Sequence, residues 1–175
     1  RVWLRDQSPM PPGKLAPKLR PPLEPADWYA WINQHVFLWA HEGRLQNLVG
    51  ARRYRRGRHA VFVFDTGRLI EAIGDDRVRL TRLNTGAVLF PSAPIRGTDA
   101  FRRIADHPFD PTRRGESYQR QAVVEVAVAG GLTPFPLESL IELRTYDGPQ
   151  LIHASAAADL EESAEEVPRD QRPSA

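Results

Sequence analysis

Residues 121–132, QAVVEVAVAGGL, are the stretch that predicts how the rest of the chain folds. Apolar side chains occupy both faces of a period-two strand, which is typical of a covered central strand: Val124, Val126 and Val128 on one face, Val123 and Ala127 on the other. Glu125 interrupts this pattern. An ionised carboxylate there is costly unless it is paired, hydrogen-bonded or open to a cleft, so Glu125 is the first candidate for chemistry. The alternative is a structural ion pair with an arginine across the sheet.

Strand and helix patterns alternate along the rest of the chain. The sequence predicts helices at residues 14–20, 25–33, 41–50, 66–73 and 98–105, and strands at residues 35–39, 60–65, 77–80 and 139–146. The last strand is expected to lie beside the central one. This order predicts α/β or α+β packing rather than a helix bundle. The aromatic side chains near Trp28 and Trp31 predict a helix that packs in the core rather than a platform for stacking bases.

Length and charge indicate one basic domain followed by an acidic tail. The 175 residues suit a single domain, here residues 1–154, followed by an acidic, disordered tail at residues 155–175. Of the charged residues, 22 basic and 16 acidic ones precede Asp159, so the body is basic. Lys14 and Lys18 are the only lysines, and the other basic residues are arginines. Arginine suits phosphate recognition, although such a ratio also results from a high-GC coding bias.

The sequence lacks the motifs of several classes of functional site. The chain has no cysteine, which excludes disulfides, zinc–thiolate sites and a cysteine nucleophile. P-loop, dinucleotide-fingerprint, HExxH and GxSxG patterns are absent, and the five histidines show no ligand spacing, so no metal is expected. Asp65 and Glu125 could be two acids of a metal nuclease, but the accompanying lysine is missing. Without an apolar run long enough for a bilayer or a signal segment, we expect a cytoplasmic protein with no membrane partner.

A carboxylate on a strand remains as the candidate for chemistry, together with an arginine-rich body and a long loop at residues 83–97 that is rich in proline and glycine. They suit a substrate with phosphates for arginine to hold and a cationic transition state for a carboxylate to stabilise. Residues 51–59, ARRYRRGRH, form a basic loop that is either solvated or contacts nucleic-acid phosphate without reading sequence. The candidate phosphate contacts in it are Arg52, Arg53, Arg55, Arg56 and Arg58. Asn84 either forms an Asx turn before Gly86 or belongs to a site.

Seven segments carry a resemblance to a known family. They are LRDQSPM, WYAWINQHVFLW, GRLQNLVGARRY, AVFVFDT, LNTGA, RGTDAF and AVVEVAVAGG, and the likeness covers residues 2–146. These strings resemble an uncharacterised bacterial family, which in turn is similar to the DarT-like ADP-ribosyltransferase toxins. The order of parts supports the second step: a strand and a helix bearing an arginine, a loop, and a strand with a central glutamate before a turn of small residues.

The resemblance implies an α+β fold with a split, mixed β-sheet and flanking helices, with a cleft that binds NAD as cosubstrate and no metal. Glu125 would be the catalytic glutamate that holds the nicotinamide ribose and favours the oxocarbenium-like state. Arg44 would be the catalytic arginine that contacts NAD phosphate, unless it only pairs with Glu42 or a neighbouring acid. Asn84 and Thr85 would contact NAD from the loop on the acceptor side. The family's first motif, a strand with His or Tyr, would lie upstream of Arg1, so we expect the domain to lack its N-terminal part.

These residues support two functions of different classes. The first is an NAD-dependent mono-ADP-ribosyltransferase-like domain, related to toxins or defence systems, that acts on a nucleic-acid or protein acceptor. Arg96, in the same loop as Asn84, would contact a nucleic-acid acceptor. The alternative is a non-catalytic module that binds nucleic acid through the basic loop. A remnant of the enzyme fold that binds neither NAD nor nucleic acid is a third hypothesis.

Overall fold

In the part of the chain that the structure describes, six strands form two three-stranded sheets, each with helices beside it in sequence. The computed structural model describes residues 10–85, 92–110, 112–113 and 115–159. The helices are α1 (Pro12–Leu15), α2 (Pro25–Ile32), α3 (Glu42–Val49), α4 (Thr66–Ile73) and α5 (Glu116–Ala122). The strands are β1 (His35–Trp39), β2 (Arg58–Phe64), β3 (Val78–Thr81), β4 (Glu125–Ala129), β5 (Leu140–Asp147) and β6 (Gln150–Ala156). The predicted α+β class is confirmed.

The chain divides into two compact units, and each unit contains one sheet. The first unit comprises residues 1–41 and 75–132, and the second comprises residues 42–74 and 133–175. All pairs between the named strands are antiparallel. The expectation of mixed strand pairing is therefore not met by these strands. In the described ranges, every helix is too short or too polar to cross a bilayer.

The first unit is built around β4, which lies between β1 and β3. Its register places Glu125 opposite Trp39 of β1 and Thr81 of β3. Ala127 and Val128 are fully buried, as the apolar faces of this stretch predict. The central position expected for this strand is therefore confirmed, although β4 begins only at Glu125 because residues 116–122 form α5.

An aromatic cluster forms the core of the first unit. Trp28 of α2 is buried and stacks on Trp31, with ring centroids 5.9 Å apart. Phe101 contacts both tryptophan rings. Leu15, Leu19 and Ala127 complete the buried group. The prediction that α2 packs in the core is confirmed for Trp28. Burying side chains of this size is the main stabilising term available to a unit this small.

The second unit consists of the sheet β2-β5-β6 with α3 and α4. Glu42 at the start of α3 accepts hydrogen bonds from Arg144 Nη1 (2.8 Å), Gln46 Nε2 (3.2 Å) and the Tyr146 hydroxyl (3.3 Å). Burial by itself would raise the pKa of Glu42, but these bonds and the charge of Arg144 outweigh it and lower the pKa below 4.5. Asp65 begins α4 as predicted, because its Oδ1 accepts from the Arg68 backbone N–H at 2.8 Å.

Three predicted elements differ from the structure. The last predicted strand, now β5, was expected to pair with the central strand, and this was wrong because β5 pairs with β2 and β6. β6 continues to Ala156, so residues 155 and 156 of the predicted tail are strand. The helix predicted at residues 98–105 is only a 3-10 turn at Thr98–Ala100. The acidic tail from residue 160 onward and residues 86–91 of the long loop lie outside the described residues.

Candidate functional site

Glu125 lies at the first position of β4 and is 3% exposed. The backbone on its N-terminal side is fixed from two directions. Val124 donates its N–H to the Thr81 carbonyl at 2.7 Å, and Nε2 of His107 lies 2.7 Å from the Ala122 carbonyl, to which it donates. The backbone that carries this carboxylate is therefore anchored both at the preceding helix, α5, and at the neighbouring strand, β3.

Thr85 holds the carboxylate of Glu125 through two of its groups. Its backbone N–H donates to Oε1 at 3.2 Å and to Oε2 at 3.0 Å, and its hydroxyl donates to Oε2 at 2.6 Å. The turn that places Thr85 begins at the end of β3, where Thr81 Oγ1 accepts from the Leu83 N–H at 3.0 Å. Hydrogen bonds to an ionised group are the stronger kind, so the carboxylate is held in one orientation.

Arg96 brings a positive charge to the same site and is also 3% exposed. Burial lowers the pKa of the Arg96 guanidinium, and the negative charge of Glu125 opposes this effect. Nη2 of Arg96 donates to the Asn84 carbonyl at 3.2 Å. Nε and Nη1 are buried and have no hydrogen-bond acceptor in the part of the chain that the structure describes. The site therefore contains a carboxylate with assigned donors and a guanidinium with donor capacity left over.

The structure thus brings four of the predicted site residues together in the first unit: Asn84, Thr85, Arg96 and Glu125. Arg96 is predicted to contact nucleic acid. It is buried, it bonds to the residue before Thr85, and the charge of Glu125 acts on it, whereas its role in binding nucleic acid stays a prediction. Arg44 lies in α3 of the second unit and is half-buried, and its predicted roles in catalysis and NAD binding stay predictions.

The basic loop belongs to the second unit and is held by backbone hydrogen bonds. The Tyr54 N–H donates to the Ala51 carbonyl at 2.8 Å, and the Gly57 N–H donates to the Tyr54 carbonyl at 2.9 Å. Gly57 in turn accepts from the Gly148 N–H at 2.8 Å, which ties the loop to the turn between β5 and β6. All five of the predicted phosphate contacts are exposed: Arg52, Arg53, Arg55, Arg56 and Arg58. Their role in binding nucleic acid stays a prediction.

The sequence analysis missed two residues that shape the site. Thr81 caps the turn after β3, and His107 anchors the carbonyl of Ala122 before β4. The sequence shows His107 only as one of five histidines without ligand spacing, because its partner is a backbone carbonyl that no side-chain spacing reveals. A signal was available for Thr81, since a threonine two residues before a loop position is suited to an ST turn.

The far end of β4 carries a different feature. Residues 33–36 and 129–131 line an open concavity of about 640 Å³, which does not include Glu125. Arg77 stabilises the adjoining turn by donating from Nε to the Ala129 carbonyl (3.0 Å) and from Nη2 to the Gly131 carbonyl (2.6 Å). Within the described ranges, no group of three or more His, Asp or Glu side chains could hold a metal ion.

Comparisons with known proteins identify a family. Comparison with curated proteins and with solved structures finds no match to this chain. One family description matches residues 1–135, which include all of the first unit and the site around Glu125. The chain therefore belongs to the family of unknown function DUF7002.

Proposed function

We propose that this chain is an NAD-dependent mono-ADP-ribosyltransferase-like domain, related to toxins or defence systems, with Glu125 as its catalytic carboxylate. The observation that carries the proposal is the placement of Glu125 at the start of the central strand, where Thr85 orients it and the charge of Arg96 acts on it. The resemblance to DarT-like ADP-ribosyltransferases supplies the reaction class. A buried carboxylate with fixed orientation is the kind of group that stabilises developing positive charge.

In such a reaction NAD supplies the ADP-ribosyl group. The bond between the ribose carbon and the nicotinamide nitrogen breaks with its electron pair left on nicotinamide, and a lone pair of the acceptor forms the new bond as the acceptor loses a proton. Glu125 would accept a hydrogen bond from a ribose hydroxyl and stabilise the positive charge on the sugar. Thr85 would hold the carboxylate in a fixed orientation for this hydrogen bond. Arg44 is proposed to contact NAD phosphate, and Asn84 to contact NAD from its loop.

The test is NAD binding and turnover in the full chain with Glu125→Gln. Glutamine keeps the shape of the side chain and removes its charge, so we expect binding to survive and turnover to fall by about 10²–10³-fold. Glu71→Gln is the matched control, because Glu71 is exposed on α4. Calorimetry measures binding, and release of nicotinamide measures turnover. Unchanged turnover in Glu125→Gln, with turnover present in the wild type, would remove the proposal.

A second candidate function is nucleic-acid binding by the basic loop. The specific observation in its favour is the exposure of five arginines, four on a loop that backbone hydrogen bonds hold in place and the fifth, Arg58, at the start of β2. A backbone that is already ordered loses less conformational freedom on binding. This function predicts affinity that falls steeply with salt and does not depend on Glu125.

The test for this second candidate is the salt dependence of oligonucleotide binding, measured by fluorescence anisotropy. Each phosphate contact that is lost lowers the slope of log K against log salt by about 0.9 for duplex DNA. We expect a drop of nearly twice that amount when Arg55 and Arg56 are both changed to Gln. Arg102 and Arg103 are also adjacent and exposed, so the same double change there is the control. Equal slopes for the two double variants would exclude the basic loop as the binding surface.

A further inference from the structure

Arg96 has more donor capacity than the surrounding protein uses. Its Nη2 donates to the Asn84 carbonyl, whereas its buried Nε and Nη1 find no acceptor among the described residues. Leaving the donors of a buried charged group without acceptors is costly, so native structures rarely retain such groups without a role. The side chain is 3% exposed, so bulk water does not replace the missing acceptors.

The backbone of Arg96 is fixed by two hydrogen bonds. Its N–H donates to the Lys18 carbonyl at 2.7 Å, and its carbonyl accepts from the Arg20 N–H at 2.8 Å. These two bonds form a parallel bridge between Leu19 and Arg96, with bonds on both sides of the residue. The anchored backbone, together with the bond from Nη2 to the Asn84 carbonyl, limits the positions open to the guanidinium, which is the preorganisation that a binding site requires.

The negative charge of Glu125 acts on Arg96, yet the carboxylate does not accept from the remaining donors of the guanidinium. Its Oε2 accepts two bonds from Thr85, and neither Nε nor Nη1 of Arg96 bonds to it. The pair Glu125 and Arg96 is already neutral in sum. A ligand group carrying one negative charge would therefore satisfy the guanidinium with less repulsion from Glu125 than a doubly charged group would cause.

We propose that Arg96 forms an oxyanion-binding position beside Glu125 that takes a singly charged group of a ligand, either a phosphodiester-type phosphate or a carboxylate. The geometry of Arg96 supports this position by itself. Only the expectation that the bound group belongs to an ADP-ribosyl donor or its acceptor rests on the proposed function. Guanidinium is suited to both groups, because its planar donors match the spacing of their oxygens.

The experiment measures calorimetric binding of three probes to the full chain: ADP-ribose, acetate and adenosine. ADP-ribose carries singly charged phosphates, acetate carries a carboxylate, and adenosine lacks a charge. We expect one of the two anions to bind, and its Kd to rise about tenfold or more in Arg96→Lys, which keeps the charge but loses the planar donors. Arg20→Lys is the matched control, since Arg20 is exposed and pairs with Asp99 at the surface. Its Kd should stay within about twofold of the wild type.

A second measurement does not depend on the folding of the variant. The Nε–H signal of Arg96 in the ¹⁵N spectrum of the wild-type chain should shift when the bound anion is added and should not shift with adenosine. If neither anion binds the wild type, or if the Nε–H signal stays unchanged at saturation, the oxyanion position does not exist. The identity of the anion that binds decides between phosphate and carboxylate.

These readouts separate the two proposals, because none of them requires turnover of NAD. Anion binding that depends on Arg96 in a chain without transferase activity would remove the proposed function and leave this inference. The opposite result is ADP-ribosyl transfer that depends on Glu125, in a chain whose Arg96 Nε–H signal does not shift with either anion. It would remove this inference and leave the proposed function.

Discussion

Replacing Thr85 with valine tests how firmly the loop after β3 holds the carboxylate of Glu125. The change keeps the branched shape and the backbone N–H but removes the hydroxyl, which lies 2.6 Å from Oε2. A hydrogen bond to a charged group contributes about 1.5–3 kcal/mol, and burial of Glu125 spares this bond from the screening that weakens surface contacts. We therefore expect Thr85→Val to lower the free energy of unfolding by about 1.5–3 kcal/mol.

Urea denaturation measures this loss, which corresponds to a midpoint shift of about 1 M for a typical dependence on urea. Thr85→Ser retains the hydroxyl and is the control. A double-mutant cycle with Glu125→Gln should show coupling of at least about 0.5 kcal/mol, since the two residues contact each other. The reasoning is refuted if Thr85→Val stays within about 0.5 kcal/mol of the wild type, because the bond then contributes no more than an ordinary surface contact.

Three further predictions concern the second unit. Asp65→Ala should cost about 0.5–2 kcal/mol in urea denaturation through loss of the cap of α4, whereas Asp65→Asn should cost less, and equal losses would contradict the cap. Wild-type stability should fall as pH drops below about 4.5, through the lowered pKa of Glu42, by less than about 1 kcal/mol for this exposed group, and Glu42→Gln should flatten that part of the pH profile. Gly148→Ala should lower the melting temperature clearly, because φ is 54° there and a Cβ would come within 2.3 Å of the Arg55 carbonyl oxygen, so an unchanged melting temperature would contradict this packing.

Local sequence was enough to predict the helices and strands that short-range signals specify. β1 and α4 occupy the predicted positions, since a short apolar run and the Asp65 cap are local signals. β6 was missed because Gln150–Ala156 is largely exposed and rich in alanine, so only pairing with β5 makes it a strand. The partners of β5 depend on contacts distant in sequence, which periodicity does not encode.

In the candidate site, too, one residue could be predicted from local sequence and another could not. Glu125 could be identified from sequence because a charge among valines is conspicuous. The neighbourhood of Arg96 could not, since it results from pairing with the chain near Leu19 and from the turn that ends at Thr85. Sequence therefore predicts which residue carries the negative charge, and only the fold shows which arginine accompanies it.

The interleaving of the two units along the chain determines the order in which they can be completed during synthesis. The first unit has all of its residues once residue 132 has left the ribosome, whereas the second must wait for residues 140–156 to supply β5 and β6. β2 therefore emerges some 75 residues before β5, with which it pairs in the sheet. For that interval its run of valine and phenylalanine is an unpaired edge, which is the usual template for association between nascent chains. A slow translation rate over residues 65–140 would lengthen this exposure, so the yield of folded protein is expected to depend on how quickly the ribosome reaches β5.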